Sequence, residues 1–528
     1  MAQDAGEDVR ASELIAAVSL AVDIGMAQPL ETGLAVCLVA VELAERLGYE
    51  PGLRQRTFRL ALLQHVGCTV AAAPVAAVMG DEMVMRAHAA TLDFAGRAEM
   101  FRFLLAHVAR VNPPLARPAA LARAAAGGRR MLGTMADVCE GAVMLGERLG
   151  CGPGSQRDLG CVYEYWDGQG FPDGISGEQI TAPARAVQVA TLAAVAHHAG
   201  GVAAAADLVR QRSGRSLAPS AAAMFLGDPA GLLARVETPA SLWDAVIAAE
   251  PAPGEPAGPA EVDRMLRAVA DFTDLKSPVL IGHSPGVAAL AEAAAVLMGL
   301  PDAEVRTVRR AGWLHDMGRI GVSSAVWGHP GPLRAHQREQ VRLHPYHTSR
   351  VLDRSPYLRR LGEVAAAHHE RLDGSGYFRG ARAGQLPPAA RLLAVADAYH
   401  AMTEPRPYRP ALSAAAAAAE ICAQAEQGRV DGAAVDAVLA AAGQRAARRH
   451  PAAPCGLTPR EVQTLGLVAR GLSIRQIARA LSIAPKTADG HIQRIYAKTG
   501  VSTRAGATLF AMSHDLLPAR LENGENSP

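Results

Sequence analysis

Residues 305–319 read Val-Arg-Thr-Val-Arg-Arg-Ala-Gly-Trp-Leu-His-Asp-Met-Gly-Arg, and this stretch decides the fold. Val305, Val308 and Leu314 recur at helical spacing, and Gly318 supplies a helix stop just after His315 and Asp316. An apolar helix that ends on an imidazole and a carboxylate presents both groups at the edge of a core. We therefore expect a helical domain built around a metal-ligating centre.

The same part of the chain carries further imidazoles and carboxylates at wide intervals. The full set is His283, His315, Asp316, His344, His368, His369 and Asp397. Because the intervals are too wide for a short-loop zinc site, we expect most of these residues on different helices whose inner ends converge. Imidazole and carboxylate ligands without a thiolate favour Fe, Mn, Co, Ni or Zn over soft metals. Two such metals can share an Asp, clamp a phosphoryl group and lower the pKa of bound water to about 7.

Residues 272–410 resemble the HD-GYP family, the metal-dependent HD phosphohydrolases that cleave cyclic di-GMP. The matching motifs recur in order: His315-Asp316-Met-Gly-Arg319, His344-Pro345, His368-His369-Glu-Arg-Leu-Asp373-Gly-Ser-Gly376-Tyr377, and Ala396 to Arg409. The resemblance implies that the seven residues above bind two divalent metal ions (Fe, Mn or another transition metal), with Asp316 as the bridge. It implies catalytic roles for Asp316 and Arg319. The substrate-binding residues that it implies are Asp373, Gly374, Gly376, Tyr377, Arg406 and Arg409.

Four positions depart from the family pattern. The signature that names the family reads Gly-Tyr-Phe here, ending at Phe378. Arg319 replaces the usual lysine, which keeps the positive charge but changes its reach and fork geometry. Val279 replaces an acidic residue that some members carry, which favours two metals over three, and Thr348 replaces a glycine, which is expected to narrow the pocket. The complete ligand set favours a phosphodiesterase, whereas Phe378 and Thr348 favour a silent sensor that binds ligand or metal without turnover.

Composition bounds the rest of the chain. Its 528 residues suggest three or four domains. Half are apolar, only 4% are aromatic and alanine dominates, which favours an all-α fold because Ala has the highest helix propensity. The N-terminus lacks a signal-peptide pattern, and no early apolar stretch reaches the ~18–20 uninterrupted residues of a membrane span. Seven scattered cysteines without a CxxC pair argue against disulfides and zinc ribbons. We expect a cytoplasmic protein with no membrane partner.

The first half of the chain reads as a copy of the metal-ligating block. At a shift of 251 residues Gly67 aligns with Gly318, and at a shift of 206 residues 167–171 align with 373–377. The same shifts place Thr32, Gln64, His65, Val162, Tyr163 and Thr191 where the second copy has His283, His315, Asp316, His368, His369 and Asp397. We therefore expect two tandem HD-type helical domains. The first is degenerate, and either pairs with the second or binds an effector.

The C-terminal end has a different character. Residues 457–517 hold eight Lys/Arg against three Asp/Glu, so this end is basic on a faintly acidic body. Thr458 with Glu461 forms a capping box, Ser473 caps the next helix, and Pro485 opens a further helix. A short turn between two helices fits docking in the major groove of double-stranded DNA. The sequence resembles the four-helix LuxR-type helix-turn-helix, which implies DNA contacts from Lys486, Thr487, Gln493, Arg494 and Lys498.

Pro/Gly/Ala-rich stretches at 251–259 and 443–456 suggest the domain boundaries. We expect a degenerate HD-like domain over 1–250, a metal phosphohydrolase domain over 260–443, a linker over 444–456 and the DNA-binding domain over 457–517. The predicted protein is a DNA-binding transcription regulator coupled to cleavage of cyclic di-GMP or a related phosphodiester. The alternative is a catalytically silent sensor that controls the helix-turn-helix. Because LuxR-type domains usually act in pairs, we expect a homodimer.

Overall fold

The structure, a computed structural model, describes residues 9–111, 114–126, 128–444, 454–469, 471–501, 503–504, 507, 510–511 and 516. The chain divides into two compact units, Met1–Gln444 and Arg445–Pro528. It is 70% helical. Within the described ranges no strand forms, and β-type pairing is limited to isolated bridges. The expected all-α class is confirmed.

Within its described residues, the larger unit begins with thirteen helices. They are α1 Ala11–Gly25, α2 Thr32–Arg46, α3 Pro51–Leu63, α4 Ala72–Met79, α5 Glu82–Ala89, α6 Arg97–Val111, α7 Arg117–Ala126, α8 Gly128–Arg148, α9 Pro153–Gly160, α10 Ala182–Arg212, α11 Pro219–Gly227, α12 Pro229–Glu237 and α13 Leu242–Ala248. Ten more complete it. They are α14 Pro259–Asp274, α15 His283–Leu297, α16 Asp302–Leu314, α17 Ser324–Trp327, α18 Ala335–Arg342, α19 His344–Leu352, α20 Pro356–Ala365, α21 Pro388–Thr403, α22 Ala414–Glu426 and α23 Gly432–Ala441.

The two halves of this unit repeat one another element by element. Helices α15 and α16 begin and end 251 residues after α2 and α3, and α21 begins 206 residues after α10. The 3₁₀ turn Ala383–Gln385 likewise follows Gly177–Gln179 by 206 residues. Gly67 and Gly318 allow the same close approach, since an added Cβ would lie 2.0 Å from the carbonyl oxygen of Val138 and of His344, respectively. Because the two contacts are equivalent, Val138 is the counterpart of His344 in the first copy.

The two copies share one hydrophobic core. Helix α1 of the first copy packs against the 3₁₀ segment Met317–Gly321 of the second. Ile24 lies over Gly321, and Gly25 lies against Ile320. A second junction is polar: Lys276 Nζ lies 2.8 Å from Glu82 Oε1, and both side chains are 0% exposed. The copies are therefore joined by apolar packing and by a buried ion pair.

In the part of the chain that the structure describes, two segments are long and apolar enough to cross a membrane by length and hydropathy, Ala182–Arg212 and Pro278–Leu297. A bent pair, Pro51–Thr69 with Ala72–Met79, would add a third. Helix α10 is interrupted by non-helical backbone at Gly200 and Gly201 and packs against α2. Helix α15 packs against α16 and α21. In Ala182–Arg212 and Pro278–Leu297, 39% and 50% of the most apolar window, respectively, is buried inside the protein.

The smaller unit holds α24 Pro459–Ala469, α25 Ile474–Ala480 and α26 Pro485–Thr499. Its own apolar core includes Leu465, Ile477, Ala488 and Ile495. The capping box expected at the start of α24 forms, because the Thr458 amide donates to Glu461 Oε2 at 2.8 Å and the Glu461 amide donates to Thr458 Oγ1 at 3.3 Å. The predicted fourth helix falls partly on residues outside the described ranges.

Candidate functional sites

Five elements of the second copy bring the predicted ligands to one place. His283 begins α15, the His315-Asp316 pair follows α16, His344 begins α19, the His368-His369 pair follows α20, and Asp397 lies within α21. All except His369 are buried. The glycine at 318 lets the end of α16 approach the start of α19 at van der Waals distance, which carries Asp316 towards His344.

The ligand atoms form two groups around Asp316. On one side Asp316 Oδ2 lies 3.0 Å from His315 Nε2 and 3.4 Å from His283 Nε2. Asp397 Oδ1 closes this group at 3.2 Å from His283 Nε2. On the other side Asp316 Oδ1 lies 3.3 Å from His344 Nε2 and 3.5 Å from His368 Nε2. One carboxylate therefore faces both groups, as a bridging ligand would.

Backbone carbonyls fix the histidines in one tautomer. His315 Nδ1 bonds to the Gly312 carbonyl at 2.7 Å, and His344 and His368 make the same bond to the carbonyl three residues earlier, at 2.6 and 2.7 Å. Because a carbonyl only accepts, each Nδ1 carries a proton, and Nε2 is left as the inward-facing ligand atom. Such outer contacts orient metal-binding imidazoles.

Several of these inward atoms are buried without a hydrogen-bond partner among the described residues. They are His283 Nε2, His315 Nε2, Asp316 Oδ1, Asp316 Oδ2 and Asp397 Oδ1. Buried polar atoms are normally satisfied, and divalent cations bound in the two groups would satisfy them. The donor set fits a metal of the Mn, Fe or Zn type.

The charge states differ across the centre. Although burial lowers the pKa of His315, Asp316 and Asp397 outweigh it and raise that pKa to about 10, so this imidazole must lose a proton before it binds metal. Burial lowers the pKa of His344 to about 4, so this imidazole is neutral at pH 7. Burial also raises the pKa of Asp316, but the Arg319 guanidinium and His315 outweigh it and hold that pKa well below its usual range. Neutral imidazole and ionised carboxylate are the forms that bind metal.

The Arg319 guanidinium already contacts the central carboxylate. Its Nη1 lies 2.7 Å from Asp316 Oδ2, and its guanidinium carbon stands 5.2 Å from the centroid of the Trp327 ring. The side chain is buried. Trp327 also donates its indole N–H to the Arg319 carbonyl at 3.2 Å. Arg319 is therefore held beside the ligand group by an aromatic face.

The six residues predicted to bind substrate have different surroundings. Tyr377 stacks on His369, with ring centroids 4.7 Å apart, and so borders the ligand group. Asp373 is exposed and bonds Ser375 within its own turn at 2.7 and 2.9 Å. Gly374, at φ +81°, and Gly376, which lies against the backbone of Glu370 and Arg371, shape the same loop.

The two predicted arginines are engaged within the protein. Arg406 donates to Glu404 and to the Val279 carbonyl. Arg409 donates to four backbone carbonyls, those of Ala401, Met402, Glu404 and Pro410.

Two carboxylates that sequence analysis did not single out support the site. Glu404 Oε2 accepts from His283 Nδ1 at 2.8 Å and thereby orients that imidazole. Glu370 accepts from the amides of Arg379 and Ala381 at 2.7 and 2.9 Å and so holds the loop that carries Tyr377. The sequence feature that could have identified Glu404 is its position four residues, or about one helical turn, after His400. Glu404 Oε1 lies 3.4 Å from His400 Nδ1.

Thr348 is buried beside the His-Asp turn. Its hydroxyl accepts from the Gly318 amide at 2.9 Å and donates to the His315 carbonyl at 3.1 Å. Its side chain therefore ties α19 to the His-Asp turn.

The first copy shows what replaces the ligands. Thr191 donates to Gln64 Oε1 at 2.6 Å, where the second copy has Asp397 and His315. His65 Nδ1 lies 2.8 Å from Tyr163 Oη, and burial together with Arg86 lowers the pKa of His65 to about 4. The ionised ligand cluster has become a neutral hydrogen-bonded one.

The predicted DNA contacts all lie on α26 and are exposed. Lys486 and Thr487 occupy its first turn, and Gln493 and Arg494 lie further along. Lys498 is engaged within the unit, because its Nζ donates to Glu461 Oε2 at 2.7 Å and to the Gly456 carbonyl at 2.9 Å. Arg494 also approaches Glu461, at 3.6 Å. The freest cation of the set is therefore Lys486, for which no partner lies among the described residues.

Comparisons with known proteins identify families for two separate parts of the chain. Residues 267–434 match the HD domain family, and residues 456–511 match the bacterial regulatory proteins of the luxR family. The chain is 26% identical over 408 residues to 3'3'-cGAMP-specific phosphodiesterase 3 of Vibrio cholerae, covering 76% of this chain and 88% of that protein. A cyclic di-GMP phosphodiesterase of Thermotoga maritima is 34% identical over 151 residues, which cover 28% of this chain and 40% of that one.

A solved structure shares the fold. The crystal structure of a cyclic GMP-AMP specific phosphodiesterase of V. cholerae superposes with a TM-score of 0.56 at 22% identity, covering 83% of this chain and 98% of that one. The match extends over more than the HD domain, so the arrangement of the larger unit is a shared one.

Proposed function

Because residues 267–434 are an HD domain and residues 456–511 are a DNA-binding domain of the luxR family, we propose that the protein is a metal-dependent phosphodiesterase that controls its own DNA binding. Its substrate class is the cyclic dinucleotides, and it acts in the cytoplasm as a homodimer that regulates transcription. The relatives' activities on 3'3'-cGAMP and cyclic di-GMP support the substrate class. The luxR-family domain supports the DNA-binding role.

The observation that carries the proposal is the set of five buried ligand atoms around Asp316 that form no hydrogen bond among the described residues and approach one another as ligands of a shared centre would. Two divalent cations held there would supply Lewis acidity towards a phosphoryl oxygen and would activate water. His283, His315 and Asp397 form one side of the centre, and His344, His368 and His369 form the other. HD-domain phosphodiesterases depend on divalent metal, and two ions are what the two groups would hold.

The chain's own residues would position the phosphodiester. The Arg319 guanidinium, backed by Trp327, is placed to offset negative charge on a non-bridging phosphate oxygen. Tyr377, stacked on His369, offers an aromatic face at the edge of the centre. Glu404 and the three carbonyls hold the imidazoles still, so little reorganisation is needed when charge develops.

The direct test is hydrolysis of cyclic di-GMP and 3'3'-cGAMP by the full chain loaded with Mn²⁺, with linear dinucleotide as the product. We expect turnover that Asp316→Ala abolishes and that Glu420→Gln, an exposed carboxylate on α22, leaves unchanged. The proposal fails if the metal-loaded protein binds cyclic dinucleotide and releases no product.

A second candidate is a silent sensor, and one observation favours it. The Arg319 cation already neutralises Asp316 Oδ2 at 2.7 Å, and a resident cation opposes metal binding at the same oxygen. In that case cyclic dinucleotide would bind without metal and without turnover, and occupancy alone would change DNA affinity. Metal analysis of the purified protein separates the two candidates.

A further inference from the structure

A cavity of about 310 Å³ lies in the first copy, at the position of the lost metal centre. All seven residues that stand where the second copy has its ligands line this cavity, including Val138 in place of His344. Its volume is at the lower end of the range for small-molecule sites. Loss of the ligands has therefore left a space, and the surrounding helices have not closed it.

The walls of the cavity are mostly apolar. Met79, Met85, Met100 and Met135 line it together with Phe103. Methionine side chains are flexible and polarisable, so they adapt to apolar ligands of different shape. A cyclic dinucleotide carries two phosphates, and the described lining offers few cations for them. Arg212 is already paired with Asp93 and Glu99, and Arg86 donates to the carbonyls of Gly25 and Cys68.

Two polar atoms in the lining lack partners among the described residues. Asp23 is 5% exposed. Its Oδ1 accepts from the Gly33 amide at 3.0 Å, while its Oδ2 has no hydrogen bond. Gln188 Nε2 donates to three carbonyls, while its Oε1 has none. A buried polar group without a partner costs about 1–3 kcal/mol, so both atoms point to a missing hydrogen-bonding molecule.

The second copy shows how the Asp23 oxygen lost its partner. Asp274 is the residue 251 positions later, and both of its oxygens are satisfied by Ser284, through the amide at 3.0 Å and the hydroxyl at 2.7 Å. In the first copy Gly33 replaces this serine and retains only the amide. A side chain at 33 would require the Ser19 hydroxyl to move, because a Cβ there would lie 2.2 Å from Ser19 Oγ.

We propose that this cavity binds a small, uncharged, mostly apolar organic molecule that carries one hydrogen-bonding group. The apolar body lies against the methionines, and the polar group bonds one of the two oxygens, Asp23 Oδ2 or Gln188 Oε1. The site takes a different class of ligand from the metal centre of the second copy. It makes the emptied copy the receptor part of the chain.

The probe for this site is N-phenyl-1-naphthylamine, a neutral apolar fluorophore with one N–H donor whose emission rises in apolar surroundings. We expect saturable binding at one site per full-length chain. Leu192→Trp and Val195→Trp place an indole in the cavity from partly buried wall positions, and each is expected to weaken binding about tenfold or more. Leu208→Trp is the matched control, because Leu208 is also partly buried on α10 but does not line the cavity.

Circular dichroism and thermal melts show which variants are folded. Two wall variants are used so that the test can still be made if one of them does not fold. Equal affinity of Leu208→Trp and both folded wall variants would overturn the proposal, as would emission that rises without saturation. Cyclic di-GMP is expected not to displace the probe. Displacement by cyclic di-GMP would assign the cavity to a nucleotide and contradict the ligand class, whereas failure of hydrolysis would leave probe binding unchanged.

Discussion

Replacing Glu82 by glutamine tests the ion pair that joins the two copies. Glu82 and Lys276 are both fully buried, with 2.8 Å between Oε1 and Nζ. Glu82 also accepts from Ser323 Oγ at 2.8 Å and from the Ser324 amide at 2.7 Å. The described contacts leave the ammonium with only one other polar neighbour, Met83 Sδ at 3.5 Å. In Glu82→Gln the lysine must remain charged without a counter-ion or give up its proton.

Both routes cost a similar amount. Breaking a buried pair by removing one partner costs about 3–5 kcal/mol. Deprotonating a lysine at pH 7 costs roughly 4.5 kcal/mol, from an ordinary pKa of about 10.4 and about 1.36 kcal/mol per pH unit. We therefore expect Glu82→Gln to lower the free energy of unfolding of the larger unit by about 3–5 kcal/mol. Replacing both residues, Glu82→Gln with Lys276→Met, is expected to cost less than about 1.5 kcal/mol.

The assay is urea unfolding of the full chain, followed by circular dichroism, for the two single variants and the double variant. Asp207→Asn is the control, because it removes an exposed pair with Arg210 and is expected to cost under about 0.5 kcal/mol. A double variant that loses the sum of the two single losses would refute the reasoning, since the pair would then contribute no coupling energy.

Raising the pH separates a buried charge from a packing defect. Burial lowers the pKa of Lys276 to about 8 even with Glu82 present. Between the folded pKa and about 10.4 the unfolded chain binds more protons than the folded one, so this group adds stability as the pH rises. The wild type gains stability in the same way above pH 8, so we expect Glu82→Gln to recover about 1.4 kcal/mol of its loss relative to the wild type, mostly between pH 7 and pH 8, at about 1.36 kcal/mol per pH unit. A loss that is constant over that range would indicate packing alone.

Further predictions concern the metal centre and the DNA-binding unit. Asp316→Asn is expected to abolish stoichiometric Mn²⁺ binding, and two bound equivalents in the variant, measured by elemental analysis, would contradict the bridging role. Glu404→Gln is expected to weaken Mn²⁺ binding about 10–100-fold through loss of the His283 contact, measured by calorimetry. Lys486→Ala is expected to reduce the slope of log K against log salt for duplex DNA by about one, and an unchanged slope would remove it from the interface. Although burial raises the pKa of Glu461, hydrogen bonds from Lys498 and Thr458 hold it at about 2, so its stabilisation is present above pH about 4.5 and is lost as the pH falls towards 2. Amide exchange of residues 459–469 in the full chain, corrected for intrinsic rates, is expected to accelerate over that range, and less so in Glu461→Gln.

The helices and the repeat could be predicted from sequence because local chemistry encodes them. Helix spacing, prolines at first turns and glycines at stops place most boundaries. Gly67 and Gly318 survive in both copies because each must admit a carbonyl at van der Waals distance. The convergence of the ligands followed from their order and their residue types.

The contacts between residues that are distant in sequence could not be predicted. Arg409 has the residue type of a phosphate ligand, yet its guanidinium is taken up by carbonyls of its own loop. Lys498 has the residue type of a DNA contact, yet it pairs with Glu461. Thr348 was expected to narrow a pocket, but its hydroxyl bonds Gly318 and His315 inside the protein. The charge and size of a side chain can be read from the sequence, whereas the partner that the side chain contacts depends on the folded structure.

Helix α1 of the emptied copy supports the segment that carries Arg319, through Ile24 against Gly321 and Gly25 against Ile320. This contact has a genetic consequence. A deletion of the first copy would remove the contacts that support the segment carrying Arg319. It would also leave Lys276 without its counter-ion. Mutations can therefore remove the ligand residues of the first copy, whereas its helices are needed to support the second copy. The cavity left by the lost ligands is then available to bind another molecule.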